Sequence, residues 1–135
     1  MVRRIASLLC LTATVALACD CIVVPAREAK RYAKVVFRGT IVGFHDSAKG
    51  ERMVVFQVNR VWKGKVTERF EMLAWEGDSC HAFRPGQLMI GNELLVYGSR
   101  VLPHPEYLAA PCNTDLVKRT GDIQKLGPGR NPNAK

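Results

Sequence analysis

The clearest regularity in the chain begins at Met53. Val54, Phe56 and Val58 face one way and Gln57 and Asn59 the other, the period of two expected of a strand with one buried face. Val61 falls out of phase with that face, as a β-bulge would allow, and Lys63-Gly64-Lys65 then turns the chain. Upstream, VVFRGTIVGF predicts a strand with Val35, Phe37 and Ile41 on one side, able to bend at Gly39 and Gly43. The polar stretch HDSAKGE joins the two as a turn. Downstream, RFEMLAW predicts a strand with Phe70, Met72 and Ala74 inward. LMIGNELLVYGSRV is the most apolar strand region and is interrupted by Gly91.

Helices are expected only at the two ends of this pattern. PAREAKRYAK places Ala26, Ala29 and Ala33 on one face, with Pro25 suited to a first turn. TDLVKRTGDIQKL predicts a short closing helix, capped by Thr114 or Asp115 and weakened by Gly121. EGDSCHAFRPGQ and the proline-rich LPHPEYLAAP read as loops, the first tied down by Cys80 and the second leading to Cys112. GPGRNPNAK, residues 127–135, reads as a disordered tail. Trp62 and Trp75 are expected at the core or its rim. A few bent, glycine-bearing strands with a short helix at each end suggest a mainly β fold, a small closed barrel of the five-stranded Greek-key kind.

The amino-terminal residues follow a different pattern. Arg3 and Arg4 precede an apolar or small run, Ile5 to Ala18, that contains no acid and ends in Ala16-Leu17-Ala18. Residues 1–18 therefore have the layout of a secretory signal peptide with an A-x-A cleavage site. The run is shorter than the roughly 20 residues of a membrane-spanning helix, so no membrane span is expected. Cleavage after Ala18 would leave a chain that begins Cys19-Asp20-Cys21. Lipid attachment at Cys19 is the alternative, but lipoprotein signals carry Leu three places before the cysteine, where Ala16 stands. The expected location is secreted, extracellular or periplasmic.

Charge and cysteine content narrow the function classes. The net charge of +8 is carried by Lys and Arg spread along the chain rather than gathered in one block. It admits anionic polysaccharide, lipid head groups or an acidic protein surface as partners. No Lys/Arg-rich run or base-stacking aromatic signature argues for nucleic acid. Cys10 lies in the leader, so Cys19, Cys21, Cys80 and Cys112 remain. An even count in a small exported domain reads as two disulfides, with three connectivities open. A Cys19–Cys21 bridge would close a strained ring, so each should reach a distant partner and staple the amino terminus to the body. Zinc is the competing use, with His81 beside Cys80, but the spacing is not a paired C-x-x-C pattern. No nucleophile–base pairing is implied around His45 or His104, so neither an enzyme nor a bound cofactor is expected.

Taken together, the amino-terminal CDC, VVFRGTIVG, VNRVWKG, the DSC followed by F-x-x-G, GNELLVYG, and Cys112 before NTDL resemble the netrin-like domain. They are similar in particular to the inhibitory domain of the tissue inhibitors of metalloproteinases (TIMP-like). The resemblance runs in order along residues 19–126 and implies an OB-fold-type barrel with disulfides Cys19–Cys80 and Cys21–Cys112. It further implies a secreted metalloprotease inhibitor, a metalloenzyme inhibitor whose Cys19 α-amino nitrogen and carbonyl oxygen chelate the target's catalytic zinc. Asp20, Cys21, Ile22 and Val23 would form the inhibitory ridge, with Asp78, Ser79 and Cys80 beside it. The only metal ligand implied is Cys19, and only in complex with a zinc metalloprotease. Asp20 stands where the family has a small hydroxyl-bearing residue. A non-inhibitory netrin-like binding module of the cell envelope or extracellular space, partnered by another extracellular protein, is the alternative function.

Overall fold

The computed structural model of the chain describes residues 21–77, 82–100 and 105–134. The element order is α1 (Ala26–Tyr32), β1 (Val35–Asp46), β2 (Arg52–Lys63), β3 (Arg69–Leu73), β4 (Glu93–Ser99), β5 (Leu108–Ala109), β6 (Asp115–Leu116) and α2 (Asp122–Leu126). The strands form one antiparallel sheet in the order β3-β2-β1-β4-β5, with β6 also pairing with β4. The sheet curls into a half-barrel. Its ends approach each other where the Leu73 amide donates to the Tyr107 carbonyl at 3.0 Å, beside the start of β5.

Curling requires local irregularity, and the two long strands supply it. Gly39 pairs with Val58 and Arg38 with Arg60, so Asn59 is an extra residue on β2. A second shift leaves Trp62 unmatched and a third leaves Val42 unmatched on β1. The first bulge is the reason that Val58 and Val61 both enter the same core despite their odd spacing. Each bulge also raises the local twist, which bends a flat sheet toward closure.

The concave face holds Val35, Phe37, Ile41, Val54, Phe56, Val61, Met72, Leu94 and Val96. Phe37 stands edge-on to Phe56 and Phe70, with ring centres 5.3 and 5.2 Å away. The opposite face of β1 and β4 is buried as well. Val36, Leu95 and Tyr97 pack beneath Ala29 and Ala33, joined by Trp62 and by Ile123 and Leu126 of α2. Two covered faces explain why VVF and LLVY are apolar without alternation. A smaller cluster of Met53, Leu73 and Leu108 carries Trp75 at its edge.

Four segments depart from the sequence expectation. Leu88–Ile90 is not strand: the Asn92 amide donates to the Met89 carbonyl, Gly91 takes φ +91°, and β4 starts at Glu93. Met89 and Ile90 are consequently 60% and 68% exposed. The proline-rich loop contains β5, whose Leu108 and Ala109 pair with Ser99 and Gly98. Thr114 and Asp115 do not cap a helix. The Thr114 hydroxyl accepts from the Tyr97 amide at 3.0 Å, Asp115 enters β6, and helix begins only after Gly121.

The fourth correction concerns the tail, because residues 127–134 lie ordered along the free end of β2. Arg130 pairs with Val61 through both backbone groups, and its guanidinium donates to the Gly64 carbonyl at 2.8 Å. Trp62 Nε1 donates to the Gly127 carbonyl at 2.8 Å, and Asn133 donates to Glu68 at 3.1 Å. An edge strand offers a row of unpaired amides and carbonyls, and this polar segment satisfies part of it. The folded domain thus extends beyond residue 126.

Candidate functional site

The candidate site is built where the described chain begins. A disulfide joins Cys21 to Cys112, with 5.1 Å between their Cα atoms. One residue beyond it, Asn113 reads the backbone of Val24 as a neighbouring strand would. Its Nδ2 donates to the Val24 carbonyl at 2.8 Å and its Oδ1 accepts the Val24 amide at 3.3 Å. The Asn113 side chain is buried while it does so, which strengthens both bonds and makes their loss costly. The Pro25 carbonyl then accepts from the Glu28 and Ala29 amides, and the chain passes directly into α1.

Residues 21–25 are therefore tied covalently, by paired hydrogen bonds and by a docked helix. The helix is anchored in turn. Ala26 and Ala29 are buried, and Lys63 Nζ donates to the Lys30 and Arg31 carbonyls at 2.8 and 2.9 Å, closing its carboxy-terminal end. Between the tied ends, Ile22 and Val23 are 74% and 69% exposed. Water exposure of two adjacent branched apolar side chains costs free energy, and a rigid backbone prevents them from folding away.

An apolar cleft of about 270 Å³ opens beside this segment, lined by Ile22, Val24 and Tyr32 together with Leu108, Pro111 and Cys112. Tyr97 lies at its floor. That tyrosine is fixed by its hydroxyl, which donates to Asp122 at 2.9 Å, and by Thr114, whose hydroxyl meets both its amide and its carbonyl. Burial, and next the Asp122 carboxylate, hold the phenol neutral far above its ordinary range. The floor of the cleft is uncharged at any physiological pH.

Of the residues expected at the site, Cys21, Ile22 and Val23 are brought together here. Cys19, Asp20, Asp78, Ser79 and Cys80 lie outside the described residues, as does the Cys19–Cys80 pairing, the signal peptide and the lipid-attachment alternative. His81 and His104 lie outside them too. His45 stands far along β1, where its ring meets Glu71 at 3.0 Å and the Asp46 carbonyl at 3.2 Å. The Glu71 bond, then the Asp46 carbonyl, raises its pKa against smaller opposing effects of desolvation and of Arg69. Among the described residues no group of three or more His, Cys, Asp or Glu side chains is placed to hold a metal ion. None of their helices is long and apolar enough to cross a membrane.

Sequence reading missed Asn113 and Tyr97 as site residues. The only available signal was position: Asn113 follows a stapled cysteine, and Tyr97 ends the most apolar run. No model of a known protein family matches the chain, and no curated protein matches it in sequence. The fold and site define a mainly β domain, disulfide-stapled, that presents its amino-terminal segment as a rigid apolar edge beside an apolar cleft.

Proposed function

We propose that this domain is a secreted, TIMP-like inhibitor of zinc metalloproteases on a five-stranded OB-fold-type barrel. The strand order β3-β2-β1-β4-β5 and the Leu73–Tyr107 bond between the sheet's ends support the barrel reading. One observation carries the functional reading. The segment following the proposed chelating residue is clamped by Cys112 and Asn113 while its Ile22 and Val23 side chains face outward. A ridge held in its bound shape avoids the ordering cost of association, which is what an inhibitor that inserts a chain end requires.

In this reading Cys19 begins the processed protein, and its amine and carbonyl displace the water on the target's zinc. Asp20 enters the pocket next to the metal, Ile22 and Val23 continue the contact, and Asp78, Ser79 and Cys80 flank it through a Cys19–Cys80 bridge. The protein itself holds no cofactor and carries out no reaction. An amine ligates zinc only when neutral, so inhibition should strengthen as pH passes through the usual α-amino range of about 7.7–8.0.

The test compares the secreted protein with a form bearing one extra residue before Cys19, against a panel of zinc proteases. The extended form should fold identically by circular dichroism and inhibit nothing. Equal inhibition by both forms would exclude chelation by the terminus. Inhibition by neither would leave the rigid edge serving a non-catalytic extracellular partner, the binding-module reading. Intact mass of the secreted protein separately reports the cleavage point and any lipid on Cys19.

A further inference from the structure

α1 and α2 pack against each other, on the flank of α1 away from the apolar cleft, and two adjoining hollows open between them. The larger, about 480 Å³, is lined by Arg27, Lys30 and Lys125 together with Gln124, Leu126 and Gly127. The smaller is lined by Pro25, Ala26, Arg27 and Lys125. Arg27 and Lys125 belong to both and so stand on the wall between them. Among the described residues none of these three cations has a carboxylate partner. The ion pairs lie elsewhere, at Arg38–Glu93, His45–Glu71, Lys49–Glu106, Arg69–Glu71 and Arg84–Asp115.

The positive charge continues beyond the hollows. Lys63 sits at the end of α1 on the Lys30 and Arg31 carbonyls. Arg60 donates to the Pro128 carbonyl at 3.0 Å and Arg130 to the Gly64 carbonyl at 2.8 Å. All three guanidinium and ammonium groups are held by neutral carbonyls, so their charge is not cancelled. The acids on the two helices are Glu28 and Asp122. Asp122 accepts the Tyr97 hydroxyl, and Glu28 is turned about 160° round the helix from Lys30 at 3.6 residues per turn.

We propose that the α1–α2 cleft binds an anionic polysaccharide, with Arg27, Lys30 and Lys125 around one sulfate or carboxylate group. Lys63, Arg60 and Arg130 meet the acidic groups that follow along the polymer. The volume is many times the roughly 30 Å³ of a water molecule, which suits a sugar-sized acidic unit rather than a lone ion. Arginine's planar fork matches two oxygens of a sulfate or carboxylate, and the flanking lysines add point charge. Among the described residues the exposed large apolar side chains are Ile22, Val23, Tyr32, Val42, Met89 and Ile90, and none of them lines either hollow. The apolar lining of the hollows is confined to Leu126, Pro25 and Ala26, far short of the broad apolar face by which a helix enters a bilayer surface, and no aromatic ring is there to stack nucleic-acid bases. It is independent of the inhibitor proposal.

Heparin serves as a sulfated probe and polygalacturonate as a carboxylated one, with affinity measured over a range of NaCl concentrations. The R27Q/K30Q/K125Q variant is compared with K49Q/K118Q/R119Q, which loses equal charge on exposed turns away from the cleft. Binding to either polymer should fall more than about tenfold in the cleft variant and less than about threefold in the control. The slope of log affinity on log salt should drop by about 2–3, at roughly 0.7–0.9 per contact. Which polymer binds more tightly identifies the acidic group. Equal losses in the two variants would reduce the effect to net charge and overturn the site. So would absence of binding to both polymers, or tighter binding to phosphatidylglycerol vesicles or to single-stranded DNA.

Discussion

Asn113 does more for the candidate site than its size suggests. A single buried amide supplies both hydrogen bonds to Val24, and truncating it leaves the half-buried Val24 amide and carbonyl without these partners. Asn113→Ala should lower stability by about 1–3 kcal/mol. Because the Cys21–Cys112 bridge remains, the loss should be local, read as faster hydrogen exchange at the Val24 amide with smaller changes in β2. His45 offers a pH handle at the other end of β1. Its folded pKa is raised by the Glu71 carboxylate and the Asp46 carbonyl, so the protonated form is favoured by folding. That contribution is complete below the unfolded value of about 6.5 and is lost as pH rises through the folded value. An NMR titration should show His45 deprotonating above 6.5 in the wild type and at lower pH in Glu71→Gln; coincident curves would remove Glu71 as the cause.

At the scale of elements, β1 and β4 decide the architecture because each is covered on both faces. Their pairing leaves little room at Gly98, opposite Val35, where a Cβ would lie 2.7 Å from Val35 Cγ2 and 3.2 Å from Met72 Cε. Val35 is a buried β-branched residue and cannot rotate away without entering its neighbours. Gly98→Ala should cost about 1–3 kcal/mol, seen as a lower denaturation midpoint with unchanged slope; an unchanged midpoint would mean that β1 and β4 can separate slightly at this pair. The turn at Gly64 is similarly closed, with φ +86° and the Lys34 carbonyl 2.5 Å from where a Cβ would stand. The bulges at Asn59, Trp62 and Val42 work the other way, giving long strands the freedom to curl.

At the scale of the whole molecule, the Cys21–Cys112 bridge is the covalent constraint among the described residues, and it spans 91 residues of sequence. A loop of that order restricts the unfolded chain strongly in the chain-entropy view, and loss of such a bridge in a small domain typically costs about 2–5 kcal/mol. Cys112→Ser should produce a fall in that range in chemical unfolding under oxidising conditions. It should also free residues 21–24 more than Asn113→Ala does, since both tether and register are then weakened. Wild-type unfolding that does not change on reduction would show that the bridge contributes nothing. Charge is also arranged at this scale: among the described residues the ion pairs lie on the strands or the loops beside them, and cations without a carboxylate partner line the hollow between the two helices.

What the sequence determined by itself was local and periodic. The alternation from Met53 to Val58, the alanine face of α1 and the out-of-phase Val61 all follow from side chains two, three or four places apart, so each could be read without knowing its partner. Only the tertiary structure decided the rest, because the deciding contacts are distant in the chain. Leu88–Ile90 is apolar enough for a strand, yet no neighbouring strand receives it, and Asn92 and Gly91 turn it outward. Residues 108–109 and 115–116 are strands because β4 offers them unpaired backbone, and a two-residue strand has no period to detect. Thr114 forsakes a helix cap because Tyr97 presents a buried amide and carbonyl to it. The glycine- and proline-rich tail has the composition of a disordered segment, but Arg130 and Trp62 find partners across some 65 residues. Asn113 belongs to the site for the same reason: its meaning lies in Val24, 89 residues away.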